Sequence, residues 1–588
     1  MSKNLSKLQW LLIRLRWLWQ LVLKNKFVIL ALAPWLIFMF ITFWQMVYIK
    51  DGALWIAHEY AWGDWALHVS MAGNFAFREP ADWFTWHPVY AGKPLSYPFL
   101  GNLIAGLIWR TGASVQLSFF IPSIITAVLL ILVIYLIARR LGNSKPLSVL
   151  SVYLFFLSAG LGFSTAVQNL LSGIPFDKVI IGTEYYSRNE ALQWLGGNVL
   201  VALLIPQRAF LLGITMALWV IWALLAKKMS RNKKIFWGLF SGLIIIAHAH
   251  SFLVLILLSA VILAVKAVIA KVGINTHLGR KKLQAYIKEW LWFVIPAGIV
   301  SVILYLLFIR TSVDVPDFMK FQPGWSVRTL PEWFELWWQA WGFSWVALLL
   351  GVLAVLPYKY FGLRAKGKLQ ESEKYLVAFI LGGIGLFIIS NLFLLQPIGW
   401  DNSKIFTWIY LCIVFTILPG FKFLIDNKGA FLVPILIIAC CFTGFLDLYR
   451  ATDHILFSNY MLIESAGVKA ATYIRENLPA DAVMVSTPRT HNSIGYVLSG
   501  RTLLAGYSSW LLNYGFDYRP RELDIENIYK TPDAAVAEGI IEKYKNQFPH
   551  LYLVVTPYER SNYLVNDSEL DKNFQKIYSE NGYTVYEL

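Results

Sequence analysis

The stretch 235–270, IFWGLFSGLIIIAHAHSFLVLILLSAVILAVKAVIA, stands between two basic clusters, Lys227, Lys228, Arg231, Lys233 and Lys234 before it and Lys271, Arg280, Lys281 and Lys282 after it. It is too long for one bilayer crossing, which takes about 20 residues. Lys and Arg favour the cytoplasmic side of a membrane, so basic flanks at both ends require an even number of crossings. The reading is two helices that turn on the outer side near His248-Ala249-His250.

The same reasoning extends in both directions. Apolar runs at about 27–48, 114–138, 146–168, 207–226, 289–309, 336–357, 375–396, 404–421 and 429–447 bring the total to about eleven spans. With the N-terminus inside, every expected cytoplasmic connection is basic: Arg139/Arg140/Lys145, the two clusters above, Lys359/Arg364/Lys366/Lys368 and Lys422/Lys428. Lys3, Lys7, Arg14, Arg16, Lys24 and Lys26 precede the first run. That run lacks a short core and a small-residue cleavage site, so it reads as an uncleaved anchor.

Composition agrees. Of 588 residues, 57% are hydrophobic and 15% charged, with a mean hydropathy of +0.56, which excludes an ordinary soluble protein. The net charge of +16 resides largely in the short clusters between apolar runs, as orientation signals do, and gives no reason to expect a nucleic-acid partner. Cys412, Cys440 and Cys441 all lie in apolar runs and read as core thiols rather than disulfides or zinc ligands.

The expected fold is thus a polytopic α-helical membrane protein: a bundle over 1–449 with a long outer loop at about 49–113, and a small extracytoplasmic α/β domain over 450–588. After Arg450 charges become frequent. Strand-length runs (482–486, 551–556, 583–588) alternate with helical stretches (466–477, 533–545), the pattern of an α/β unit. Gly495, Gly500 and Gly506 lack the spacing of a phosphate-binding loop.

Polar residues stand out on the outer side. Asp64 and His68 are four apart and share a helix face, in a stretch, 62–77, amphipathic enough to lie along the membrane surface. His87, Lys93 and Tyr97 follow among prolines that favour turns; the alternative is that these turns only cap the bundle at headgroup level. His248 and His250 face one ligand only if the helix breaks between them, and otherwise satisfy backbone freed at the break. Asp401, Asn402, Ser403 and Lys404 crowd the start of a span, where a cation opposes both the helix dipole and the orientation rule unless an anion binds there. Arg208 follows a proline near the outer end of its span, where it either binds phosphate or snorkels. The stretch 194–204 before it reads as re-entrant. Two histidines are too few for a metal; a divalent ion would need Asp64 or Asp401 to complete its ligands. Six separate segments therefore deliver Asp64, His68, His87, Tyr97, Arg208, His248, His250, Asp401 and Lys404 to one side of the membrane, as an assembled site requires.

The long first outer loop with Asp64 near its start, the bundle of about eleven spans and the outer C-terminal domain together resemble the GT-C glycosyltransferases. Pro206-Gln207-Arg208, His248-Ala249-His250 and 400–404 are also similar to a poorly characterised bacterial branch, sometimes labelled as related to 6-pyruvoyl-tetrahydropterin synthase; a soluble pterin enzyme's chemistry has no counterpart in these residues. The resemblance implies an enzyme of the bacterial cytoplasmic membrane that moves a sugar from a polyprenyl-phosphate carrier to an extracytoplasmic glycan, lipid or protein acceptor in building the cell envelope, with Asp64 as catalytic base. The chain departs from the oligosaccharyltransferase pattern in lacking its paired acidic motif, so the resemblance brings no metal with it. Two other readings fit the same residues: a transporter or flippase of lipid-linked glycans, and a noncatalytic envelope-assembly scaffold.

Overall fold

The computed structural model describes residue 20 and residues 23–588, apart from 58–63, 183, 195–196, 270–276, 314–318, 356–370 and 531–533. The basic residues Lys3, Lys7, Arg14, Arg16, Lys271, Lys359, Arg364, Lys366 and Lys368, together with Trp62 and Gly63, lie outside the described residues.

The chain is a multi-pass membrane protein. Among the described residues seven helices are long and apolar enough to cross a bilayer. They are α1 (Lys26–Gln45), α3 (Val115–Arg140), α5 (Ala249–Ile269), α6 (His277–Phe308), α7 (Glu371–Leu392), α8 (Ser403–Asp426) and α9 (Leu432–Phe457); α2 (Asp64–Phe77) and α4 (Arg208–Leu224) complete the set that positions the site.

The remaining expected spans are helical but short or broken, and the breaks have local causes. The run at 146–168 divides after the helix Lys145–Phe156. Carbonyls freed there are taken by side chains: Asn198 Nδ2 donates to Phe156 O (2.9 Å) and Ser158 O (3.0 Å), and Thr443 Oγ1 to Gly160 O (2.9 Å). Such substitutes are what permit irregular backbone at membrane depth. The run at 336–357 becomes Leu330–Trp341 and Ser344–Val355, bent by 86° at Gly342, whose φ of +45° suits glycine.

The stretch 235–270 does form a hairpin. Helical segments Arg231–Gly242 and Ile244–Ala247 precede an extended His248, and α5 follows. Lys234 at one end and Lys266 at the other both lie over the Trp290 ring, at 4.8 and 5.2 Å, so the chain returns to the level from which it left. Basic connections gather at that level. Lys145 Nζ donates to Asn25 Oδ1 (3.1 Å), Arg140 stacks on Trp222 (4.1 Å) and Lys266 Nζ donates to Ala226 O (2.6 Å). The turn at 248–250 marks the opposite end.

There the first loop and the C-terminal residues interlock. β1 (Val47–Lys50) and β2 (Ala53–Ala57) form an antiparallel sheet with β3 (Asn459–Ile463). β4 (Val483–Val485), β5 (Thr502–Leu503), β6 (Leu551–Val555), β7 (Gln575–Glu580) and β8 (Tyr583–Glu587) form a mixed sheet in the order β5-β4-β6-β8-β7, parallel at β4-β5 and β4-β6 and antiparallel elsewhere. The expected strands and the helices Ser465–Asn477 and Ala534–Lys545 are present.

One expectation is corrected. α2 does not lie along the membrane surface: every residue from Trp65 to Ala76 is buried. Gly73 abuts the Gly500 backbone, Arg78 Nη2 donates to Thr502 Oγ1 (2.9 Å), and Gly106 leaves room for Ala72, so the helix is enclosed by bundle and sheet together. Its small residues at these contacts, read as one amphipathic face, serve close packing on several.

Candidate active site

A cavity of about 810 Å³ opens at the end of the bundle opposite the basic clusters. The first turn of α2 presents Asp64 to it and the next turn His68, so the i, i+4 pair does share one face. Asp64 is exposed to the cavity. The surrounding protein nevertheless withdraws bulk water and raises its pKa above the ordinary carboxylate value, Lys404 opposing the rise and Asp401 adding to it. Burial, helped by nearby Arg208, pushes the His68 pKa down to about 3, so the ring is neutral, and its Nδ1 has no hydrogen-bond partner among the described residues. Tyr97 lines the cavity, its phenol pKa raised by burial and by Asp64 and Asp401.

The break at His248 lets two alternate histidines line one space, with ring centroids 5.4 Å apart. His248 Nδ1 accepts from Ser251 N (3.1 Å) and contacts Ser251 Oγ (2.9 Å). Gly213 on α4 makes room: a Cβ there would stand 2.3 Å from His248 Cβ. His250 Nδ1 faces Gln396 Nε2 at 3.5 Å, while its Nε2 has no partner among the described residues.

Asp401 and Lys404 line the same cavity as an ion pair, Nζ to Oδ1 2.6 Å. Asn402 between them is fully buried and fixes the turn: Nδ2 donates to Ser390 O (3.0 Å) and Phe393 O (2.8 Å), and Oδ1 accepts from Leu395 N (3.1 Å). Among the described residues no group of three or more His, Cys, Asp or Glu side chains could hold a metal ion.

Two expected residues stand back from the cavity. Arg208 is buried behind the wall that Gln207, Ala209 and Phe210 form. Its Nε donates to Ser123 Oγ (3.1 Å), its guanidinium covers the Phe119 ring at 4.4 Å, and Nη1 has no partner among the described residues. His87 is fully buried, accepts from Val89 N at Nδ1 (3.3 Å), and packs on Tyr514 at 4.7 Å; burial pushes its pKa down to about 3.

No family model matches the chain, and no curated protein does. Among solved structures, the chain is similar to the oligosaccharyltransferase of Archaeoglobus fulgidus, tethered by a disulfide bond to an acceptor peptide containing an NVT sequon. The identity is 13%, over 96% of this chain and 74% of that one, with a TM-score of 0.44. It is also similar to ArnT from Cupriavidus metallidurans bound to undecaprenyl phosphate, at 10% identity over 96% of this chain and 98% of that one, TM-score 0.44, and to the same protein in its apo state, at 13% identity over the same shares, TM-score 0.40. Both are glycosyltransferases of the GT-C type. Likeness this distant carries no residue roles across.

Other residues complete the lining. Glu184 and Arg188 come from the connection near 177–190, which sequence reasoning did not single out. Arg450 on α9 reaches the cavity while donating to Ile181 O (3.2 Å). Trp510, Asn513 and Tyr514 belong to a short helix, Ser508–Asn513, and the residue after it. Only the stitching of 88–91 to 502–506 places it over Asp64: Ala91 N donates to Leu503 O (2.9 Å), and Gly506 N to Val89 O (2.8 Å).

Proposed function

We propose that this chain is a membrane glycosyltransferase that moves a sugar from a polyprenyl-phosphate donor to an acceptor outside the cytoplasmic membrane, with inversion at the anomeric carbon. The reading sets the N-terminus inside and the cavity outside, which the basic level of the bundle supports through the positive-inside rule. The observation that carries the proposal is the cavity itself. In it a carboxylate on a helix, Asp64, shares about 810 Å³ with an ion pair, Asp401–Lys404, and two histidines, His248 and His250.

Asp64 accepts the proton of an acceptor hydroxyl as its oxygen attacks the anomeric carbon. A carboxyl with a raised pKa is the stronger base for that step. Lys404, with Arg208 behind the wall, offsets the charge that develops on the departing lipid phosphate. A lipid phosphate is already a good leaving group, so the step needs no nucleotide. His68, His248 and His250 orient acceptor or phosphate, and Tyr97 closes the acceptor side.

The test is release of free polyprenyl phosphate from a panel of polyprenyl-phosphate sugars, wild type against Asp64→Asn. Release by wild type alone, with the variant folded, supports the reading. Undiminished turnover in the variant removes Asp64 from its role.

A further inference from the structure

We propose that the connection 184–188 reads the sugar ring carried by the donor, through Glu184 and Arg188, and that Asp447, buried in α9 behind it, is the residue that positions both. That the ligand is a donor sugar rests on the transferase reading; the hold of α9 on the connection does not.

Asp447 is fully buried, stands outside the cavity lining, and takes no part in the transfer step. A carboxylate inside a membrane span is costly and is kept where it has a group to hold. Here that group is backbone: Oδ1 and Oδ2 accept from Ser187 N at 3.4 and 3.3 Å. One turn further along α9, Arg450 donates to Ile181 O (3.2 Å) and to Gly182 O. An acid and a base three residues apart share one helix face. α9 thus grips the chain on both sides of Glu184, by two carbonyls before it and an N–H after it. A second element holds the same turn. Ser187 Oγ accepts from Asn198 N (2.9 Å), and a Cβ on Gly197 would stand 2.3 Å from that oxygen. Arg188 N donates to Tyr185 O (3.0 Å), which closes 185–188 on itself.

The hold delivers two charged side chains that the transfer step leaves unused. Glu184 and Arg188 both line the cavity. Glu184 is exposed, and its carboxylate has no hydrogen bond or ion pair among the described residues. Arg188 pairs with Glu190 at 2.7 Å and keeps 32% of its side chain exposed.

Their chemistry selects among the parts of the donor. Glu184 and Glu190 outnumber Arg188 on this short stretch, so a phosphate is repelled. A lipid tail would strip water from both charges and offer nothing in return. A sugar ring suits them: the carboxylate accepts from hydroxyls, the guanidinium donates to them, and each hydroxyl does both. A site built to hydrogen-bond a hydroxyl rejects an analogue that lacks or misplaces it. The placement of Glu184 and Arg188 therefore sets selectivity, and Asp447 acts through them as a positioning residue.

The experiment uses purified full-length protein in detergent. Tryptophan fluorescence gives dissociation constants for farnesyl phosphate hexoses of gluco, galacto and manno configuration, each relative to farnesyl phosphate, and kinetics follow with the donor that supports release. Wild type is expected to prefer one hexose lipid. Glu184→Ala and Arg188→Leu are each expected to weaken that lipid about tenfold relative to farnesyl phosphate, the loss of one charge-assisted hydrogen bond. Asp447→Leu is expected to cost as much, and Asp447→Leu/Glu184→Ala no more, because the first residue acts through the second. Asp447→Asn keeps an oxygen for Ser187 N–H and is expected to recover most of the preference; it carries this arm where Asp447→Leu does not fold. A wild type without preference, or a preference that survives Glu184→Ala and Arg188→Leu, would overturn the proposal. So would a rise confined to acceptor KM, which would give these residues to the acceptor. Asp447→Leu that melts lower yet keeps full preference would reduce Asp447 to an anchor and overturn its positioning role. Preference that follows the variants with no sugar release from any donor removes the transferase reading and leaves the sugar site; turnover with preference indifferent to the variants does the reverse.

Discussion

The membrane wall of the cavity and its roof are held by different chemistry. In the wall, single buried side chains carry the load: Asn402 makes three hydrogen bonds to the turn that aims Asp401 and Lys404, and Asn198 joins Phe156, Ser158 and the π-helical turn Val199–Leu204 ahead of Arg208. The roof hangs on backbone pairing between 88–91 and 502–506, reinforced by Arg521, whose Nη1 donates to Ala91 O (2.7 Å) and Leu504 O (2.8 Å). A side-chain anchor fails with one substitution, whereas a backbone ladder is indifferent to most of them. The difference leaves the wall dependent on single side chains and the roof free to change its side chains without loosening its attachment.

The largest effect should come from breaking the wall. Asn402→Leu leaves two carbonyls and an amide buried without partners, about 1–3 kcal/mol each. A loss of at least about 3 kcal/mol, with turnover collapsing together with the Asp401–Lys404 geometry, is expected from the same source. Thermal melting and turnover measured side by side check it. If the variant melts and turns over like wild type, the wall does not depend on Asn402 and the contrast with the roof fails.

The next effect reads the wall's electrostatics through Asp64. Burial raises its pKa, Lys404 lowers it and Asp401 raises it. The base form is therefore lost on acidification earlier than for an ordinary Asp, and the acid limb of kcat/KM should lie above the usual carboxylate range. Lys404→Met should move that limb to higher pH and Asp401→Asn to lower pH. The same sign governs stability: the protonated carboxyl is the form the fold prefers, so stability from this group is present at low pH and lost as pH rises through its folded value. Asp64→Asn should accordingly melt no lower than wild type at neutral pH. Shifts of the acid limb in the opposite directions would place another group on it.

These contrasts explain which parts of the molecule were legible in sequence. Spans, their basic ends and the hairpin at His248 follow from long apolar runs and the cost of placing charge, which act locally. Asp64, His68, Tyr97, His248, His250, Asp401 and Lys404 meet because each lies at the end of its segment opposite the basic clusters, something the alternation of spans specifies. What could not be read depends on pairing between distant segments. The surroundings of α2 are set by Gly500 and Thr502, more than 400 residues away. The breaks near 157 and 342 hang on Asn198, Thr443 and Gly342, which look like ordinary polar or small residues until their partners are known. Arg208 reads the same whether it faces the cavity or stands one layer behind it.

The smallest effect tests the roof. Asn513 is exposed and lines the cavity on a short helix whose attachment does not depend on it. Asn513→Ala removes a polar contact that a sugar acceptor would use, about 1 kcal/mol, or roughly fivefold in acceptor KM. Donor KM and the pH limb should stay where they are, because neither Asp64 nor the Asp401–Lys404 pair belongs to the ladder that holds this helix. The comparison sharpens if wall variants alter only donor parameters and Asn513→Ala only acceptor parameters. If Asn513→Ala changes donor KM as much as acceptor KM, the lipid phosphate reaches under the roof, and wall and roof handle one substrate between them.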